Sequence, residues 1–213
     1  GDTTLFAAAV LSGNRFQGNN GSVRLDGIRS VRFDHNVFSE LSSRCCGDVL
    51  ALFGHGGTVI SFKGDSIDAG DRTWIDAQPF DSLLADSLTV RMGYEGLFNG
   101  GRVAVIRHSR FSLIDLNALS VDGFPRDSTI LTLRDVHFSG FPVASCDRCA
   151  NGVRSFSTHI EADSIVAVNL STLFDLSDHS IVLRHATLTH AQNLVFNDCD
   201  GVRLDSVTTV DVV

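Results

Sequence analysis

Val31-Arg32-Phe33-Asp34-His35-Asn36-Val37-Phe38 is a short alternating strand, a polar corner and an apolar re-entry, and the phrase returns along almost the whole chain. Leu11-x-x-Asn14-x-Phe16 precedes it. Phe62-x-x-Asp65-x-Ile67, Leu83-x-x-Asp86-x-Leu88, Ile106-x-x-Ser109-x-Phe111, Leu133-x-x-Val136-x-Phe138, Ile160-x-x-Asp163-x-Ile165 and Leu183-x-x-Ala186-x-Leu188 follow it, and a degraded copy, Leu204 to Thr209, ends the series. Phe16 and Thr209 lie 193 residues and eight steps apart, a period of about 24. A fixed period in this range marks a solenoid or an array. It constrains architecture far more than it constrains chemistry.

Each period holds a second apolar node before a turn, as at Leu52-Phe53 before Gly54-His55-Gly56-Gly57 and at Leu97-Phe98 before Asn99-Gly100-Gly101. Stretches such as Leu131-Thr132-Leu133-Arg134 alternate with period two, which puts one set of side chains inside and the other in water. Strands this short with such broad corners do not suit hairpins. They suit a coil in which each strand stacks on its equivalent one turn later, about 4.8 Å away. The expected fold is an all-β parallel β-helix, or β-solenoid, of about nine turns and a length of roughly 43 Å. The 15 Phe become internal ladders, with Phe16 near Phe38 and Phe111 near Phe138. A β-sandwich is the competing all-β arrangement, but it gives no reason for a phrase repeated in phase.

Composition agrees. Among 25 acidic residues only Glu40, Glu95 and Glu161 are Glu, and among 17 basic residues only Lys63 is Lys. Residues that favour helix surfaces are nearly missing, and turn-forming Asp, Asn, Gly and Ser abound. A net charge of −8 without a basic run argues against a nucleic-acid partner. No apolar run is long enough for a membrane span.

In this repeat the chain resembles the right-handed parallel β-helix superfamily of pectate lyases, polygalacturonases and phage tailspikes. The resemblance implies right-handed coiling, three sheets and, among family members, polysaccharide lyases or glycoside hydrolases. Gly54-His55-Gly56 is similar to a polygalacturonase motif. The Asp-Asp pair and Arg-Ile-Lys that accompany it in that family do not occur here.

Residues 1–213 read as a single domain, expected to be a fragment or module of a longer chain. The sequence stops at Val210-Asp211-Val212-Val213 within a strand pattern, so flanking chain or another subunit is the expected partner at that open end. Leu5 to Val10 would cover the other end as a short helix or begin a strand. The leading expectation is a non-catalytic, extracellular or cell-surface module (structural, adhesive or carbohydrate-binding) of a larger secreted protein. One alternative is a polysaccharide lyase or glycoside hydrolase; another is a structural subunit that stacks end to end.

Candidate sites follow from the same phase. Asp65 and Asp86 fall at one position of successive turns; stacked carboxylates there would hold Ca²⁺ or do acid–base work, with Arg107 and His108 beside them. The bland reading is hydrogen bonding to the corner backbone. No cofactor is required otherwise. Ser12, Asp34, Lys63, Leu84, Arg107, Arg134, Glu161, Arg184 and Asp205 form an outward row beside Phe33, read as a solvated face or a glycan-binding one. Trp74 and Tyr94, with Arg72 nearby, are candidates for stacking on a sugar. Cys146-x-x-Cys149 has zinc-like spacing, but Cys45 and Cys146 lie four turns apart, about 19 Å, too far for one metal. A local Cys146–Cys149 disulfide suits an oxidising compartment better.

Overall fold

The computed structural model describes residues 8–18, 23–39, 48–70, 73–78, 80–91, 95–99, 101–122, 129–141, 150–156, 158–177, 179–196 and 199–211. All of their regular structure is β, and every paired strand runs parallel to its neighbour. Uniformly parallel pairing excludes the sandwich, whose sheets are antiparallel. The chain is a parallel β-solenoid of stacked coils.

The first coil holds β1 (Ala9–Ser12) and β2 (Arg15–Gln17), and the second β3 (Val23–Asp34) and β4 (Val37–Ser39). Next come β5 (Asp48–Lys63) with β6 (Ser66–Asp68), then β7 (Thr73–Gln78), β8 (Phe80–Asp86) and β9 (Thr89–Arg91). The later coils each carry two strands. These are β10 (Glu95–Asn99) and β11 (Gly101–Ile114), β12 (Asn117–Asp122) and β13 (Thr129–Gly140), β14 (Asn151–Phe156) and β15 (Thr158–Val168), β16 (Thr172–Ser177) and β17 (His179–Thr189), and β18 (Asn193–Phe196) and β19 (Cys199–Val210). One long ladder takes the order β1-β3-β5-β8-β11-β13-β15-β17-β19. A second side stacks β10-β12-β14-β16-β18, with β7 against β10. The third side begins β2-β4-β6-β9 and continues in the second halves of β11 to β19. On the second side six coils have a strand of their own, because β3 and β5 run through it without a break. By that measure the chain makes about six full turns, fewer than the nine expected.

Two inward columns make the core of the long ladder and the third side. One is Leu11, Phe33, Phe62, Ala85, Ile106, Leu133, Ala162, Leu183 and Leu204. The other is Phe16, Phe38, Ile67, Val90, Phe111, Phe138, Ala167, Leu188 and Thr209. Stacking like on like brings Phe16 over Phe38 at 4.7 Å, Phe33 over Phe62 at 4.8 Å and Phe111 over Phe138 at 5.4 Å between ring centres, all near parallel. The expected Phe ladders are present, with offset aromatic contacts adding to area burial.

The columns also correct the phase. Phe62 lies beside Ala85, not Leu83, and Leu133 beside Ala162, not Ile160. In these two coils the repeating phrase is shifted by two residues.

Between the long ladder and the third side the chain turns on one residue per coil: Gly13, His35, Gly64, Ser87, His108, Asp135, Ser164, His185 and Ser206, all with φ between 49° and 66°. Left-handed backbone costs a non-glycine residue roughly 1–2 kcal/mol; stacked coils hold it, each N–H bonding one coil ahead, as from His35 N to Lys63 O at 2.8 Å and from Ser87 N to Arg107 O at 3.0 Å. Gly64 is the corner where a side chain would also crowd a neighbour: a Cβ there would meet the His35 ring at 2.9 Å.

Candidate functional site: the charged corner

The corner residue is flanked by two columns of opposite character. The residue after it points inward: Asn14, Asn36, Asp65, Leu88, Ser109, Val136, Ile165, Ala186 and Val207. The residue before it points outward: Ser12, Asp34, Lys63, Asp86, Arg107, Arg134, Asp163, Arg184 and Asp205.

Asp65 and Asp86 therefore belong to different columns, contrary to the sequence expectation. Asp65 aligns with Leu88 and is buried, at 1% exposure. Its Oδ1 accepts from the N–H and the Nδ2 of Asn36, both at 2.8 Å, and its Oδ2 from Lys63 N at 2.9 Å. Burial raises the Asp65 carboxyl above the ordinary carboxylate range, and the bonds from Asn36 and Lys63 oppose the rise without cancelling it. Asn36 continues the chain: its Oδ1 accepts from Asn14 N and Nδ2, and its Nδ2 also donates to Leu11 O. This is the backbone-capping role of small polar side chains at corners.

Asp86 lies on the surface. Its Oδ2 accepts from Arg107 at 2.9 Å, and its Oδ1 lies 3.0 Å from His108 Nδ1. The His108 contact, helped by Arg107 and Ser87, holds its carboxyl below the usual range. Three coils on, Asp163 repeats the pattern, with His185 Nδ1 at 2.9 Å and the charge of Arg184 nearby, and its carboxyl is depressed likewise. At the other end Asp34 is depressed by His35 at 2.6 Å and Arg32 at 2.8 Å. The structure thus joins Asp86, Arg107 and His108 and leaves Asp65 out.

Corrected phase changes the outward row. Leu84 and Glu161 give way to Asp86 and Asp163, so from Asp34 to Asp205 the signs run − + − + + − + −, four acids against four bases. A shallow hollow of about 100 Å³ lies over this row between Arg134, Glu161, Asp163 and Arg184. A further acid that the phase did not flag is Asp48, raised by burial and by the charge of Asp76 one coil on; the signal available was an Asp in each of two stacked strands.

Trp74 stands in β7, and its side chain is outside the described residues, as are Tyr94, Arg72, Cys146, Cys149, Cys45 and Cys46. Among the described residues no group of three or more His, Cys, Asp or Glu is placed to hold a metal ion, and no helix is long and apolar enough to cross a membrane. No family model, curated protein or solved structure matches the chain. The likeness to pectate-lyase-like proteins therefore rests on the coiled parallel fold alone.

Proposed function

We propose that the chain is a non-catalytic β-solenoid module of an extracellular or cell-surface protein, of the pectate-lyase-like kind, that presents its flat long sheet to a partner. One observation carries the reading: three of the four outward acids at the corner are engaged within their own ladder, Asp34 by Arg32 and His35, Asp86 by Arg107 and His108, and Asp163 by a ring nitrogen of His185. Asp65, the carboxylate the enzymatic alternative needs beside Asp86, is shut in the core under three N–H donors. Paired surface charges suit a rigid recognition face better than a proton-transfer site, which needs an acid or base free to exchange with substrate. The secreted location is supported by an exterior rich in Asp, Ser and Thr and nearly without Lys and Glu.

Incubation with a panel of polyuronides and neutral polysaccharides, with product release followed by ultraviolet absorbance and reducing ends, is expected to give no turnover; robust turnover would reject the reading. Fractionation of cells expressing the full gene is expected to place the chain outside the cytoplasm. The enzymatic alternative draws on the Asp86–Arg107–His108 cluster: if turnover is found, Asp86→Asn should abolish it, and unchanged rates would remove that cluster from the chemistry.

A further inference from the structure

The outer surface of the long ladder carries a second feature beside its charged row. Two and four residues before that row, the outward positions of the middle coils hold five apolar side chains among Ser61, Ser82 and Thr132. Val59 is 45% exposed, Leu84 39%, Val103 38% and Ile130 44%, and Val105 lies between Leu84 and Thr132. Leu84 pairs with Val105 and Val103 with Ile130, so these four form an apolar patch centred on β11, with Val59 set off from Val103 by Ser82. Among the described residues the corner at the charged edge of this face is a single residue per coil.

We propose that this face pairs with the same face of a second copy, about a twofold axis that runs along β11. Such an axis lays the solenoids antiparallel and sets each outward row against itself in reverse order. The charge row decides the offset. Reversed end to end, it reads the same, so full overlap would oppose like charges throughout. Shifted by one coil, it becomes complementary: Asp34 faces Arg184, Lys63 faces Asp163, and Asp86 faces Arg134, each pair occurring twice. Of the two one-coil shifts, the one centred on β11 puts Val103 and Val105 on the axis, each against its own copy, with Leu84 over Thr132 and Ile130 over Ser82 beside them. Arg107 meets its own copy there, and the Asp86 carboxylate of each copy lies between Arg107 of its own chain, at 2.9 Å, and Arg134 of the other copy. A linear polymer with charge of a single sign fits this face less well, since every such run would meet repelling groups in about half the coils. The overlap of seven strands of the long ladder, ~30 Å by ~16 Å, covers roughly 500 Å² per copy, near the lower edge of specific interfaces. The dimer is accordingly one that dissociates on dilution.

Sedimentation velocity of the whole chain over a concentration series is expected to show a monomer–dimer equilibrium. Val103→Cys should give a cross-linked dimer with a short bis-maleimide, mapped by mass spectrometry to Cys at 103 in both copies. Ile130→Asp and, separately, Arg134→Glu should each weaken dimerisation about tenfold or more while leaving circular dichroism unchanged. Lys63→Glu should weaken it too, and adding Asp163→Lys restores that intermolecular pair with reversed signs and should recover most of the dimer. That recovery cannot come from improved folding, because Asp163→Lys also breaks the internal contact to His185 at 2.9 Å. A chain monomeric at every concentration, no cross-link at 103, or a double variant no better than Lys63→Glu alone would overturn the proposal. So would polysaccharide binding to this face by a strict monomer.

Discussion

The inward column at the corner is built in two ways. In the first three coils it is polar and the strands break, β1 giving way to β2, β3 to β4 and β5 to β6; the next two are mixed, with Leu88 at the break from β8 to β9 and Ser109 inside the unbroken β11. There the side chain of one coil caps the backbone of the previous one, Asn36 Oδ1 for Asn14 N, Asp65 Oδ1 for Asn36 N and Ser109 Oγ for Leu88 N. In the later coils it is Val136, Ile165, Ala186 and Val207, and β13, β15, β17 and β19 run unbroken through the corner. The same turn is held by side-chain acceptors in one half and by the ladder's own hydrogen bonds in the other. A corner of a solenoid needs its N–H groups satisfied; the residue type that does it is negotiable. The core differs in parallel, aromatic stacks on the early side and mostly aliphatic residues on the late one.

The largest effect expected is the loss of a stacked ring. Phe33→Ala removes a side chain fully buried between Phe62 and, edge on, Phe38. It should cost about 3–5 kcal/mol by urea denaturation. Leu183→Ala occupies the same column, but its neighbours are the small Ala162 and the half-exposed Leu204. It should fall near the low end of the ~2–5 kcal/mol range for such truncations. Equal costs would mean that the two halves share one kind of packing after all.

Next comes the polar cap. Asp65→Ala leaves three buried N–H donors without acceptors and should cost about 2–4 kcal/mol, whereas Val136→Ala at the equivalent position strands no donor and should cost no more than about 1–2 kcal/mol. Asp65 also has a signature in pH. Its folded carboxyl titrates above the unfolded one, so its contribution is fully present below the ordinary carboxylate pKa and is lost as pH rises through the raised value. Asp65→Asn should remove that component from a stability–pH curve, which tests the assignment separately from the cost of substitution.

The fold was legible because a repeated phrase is hard to produce by chance, and the Phe pairs 16–38 and 111–138 follow from it directly. The candidate site was not, for a reason specific to β-structure. A slip of one residue turns the core face outward and is seen at once; a slip of two leaves the alternation intact. Where Ala85 and Ala162 occupy the column, Leu83 and Ile160 look like better anchors and take their place in the pattern. That slip put Asp86 in the buried column with Asp65 and hid the alternation of the outward row, because Leu84 and Glu161 stood for Asp86 and Asp163. The left-handed corner was equally hidden: Ser, His and Asp fill it as readily as Gly, since the stacked coils impose the conformation.

Ser155 offers the converse of Asp65, a polar group in the core with no partner among the described residues. It sits inward between Val121 and Leu176 on the second side, and its buried hydroxyl has no hydrogen bond to any of them. Ser155→Ala should stabilise the chain by about 1 kcal/mol, read as a rise in the urea midpoint at unchanged slope. A loss instead would place an acceptor within the hydroxyl's reach.

The outward row should show the smallest effects and the opposite pH sign. Asp86 and Asp163 titrate below their unfolded value because His108 and His185, with Arg107 and Arg184, favour the charged form. Their stabilisation is present above the ordinary carboxylate pKa and is lost as pH falls toward the depressed one. Both pairs are exposed, so each is worth at most ~1 kcal/mol and is screened by salt. Asp86→Asn should therefore cost a few tenths of a kcal/mol at neutral pH and low salt, and nothing measurable in about 1 M salt, where the Debye length is ~3 Å. The Asp65 component, sealed from solvent ions, should survive the same salt. Salt thus separates the two columns that flank one corner: if the Asp86 cost persisted at high salt, its link to Arg107 and His108 would be geometric rather than electrostatic, and the outward row would belong to the framework as firmly as the inward one does.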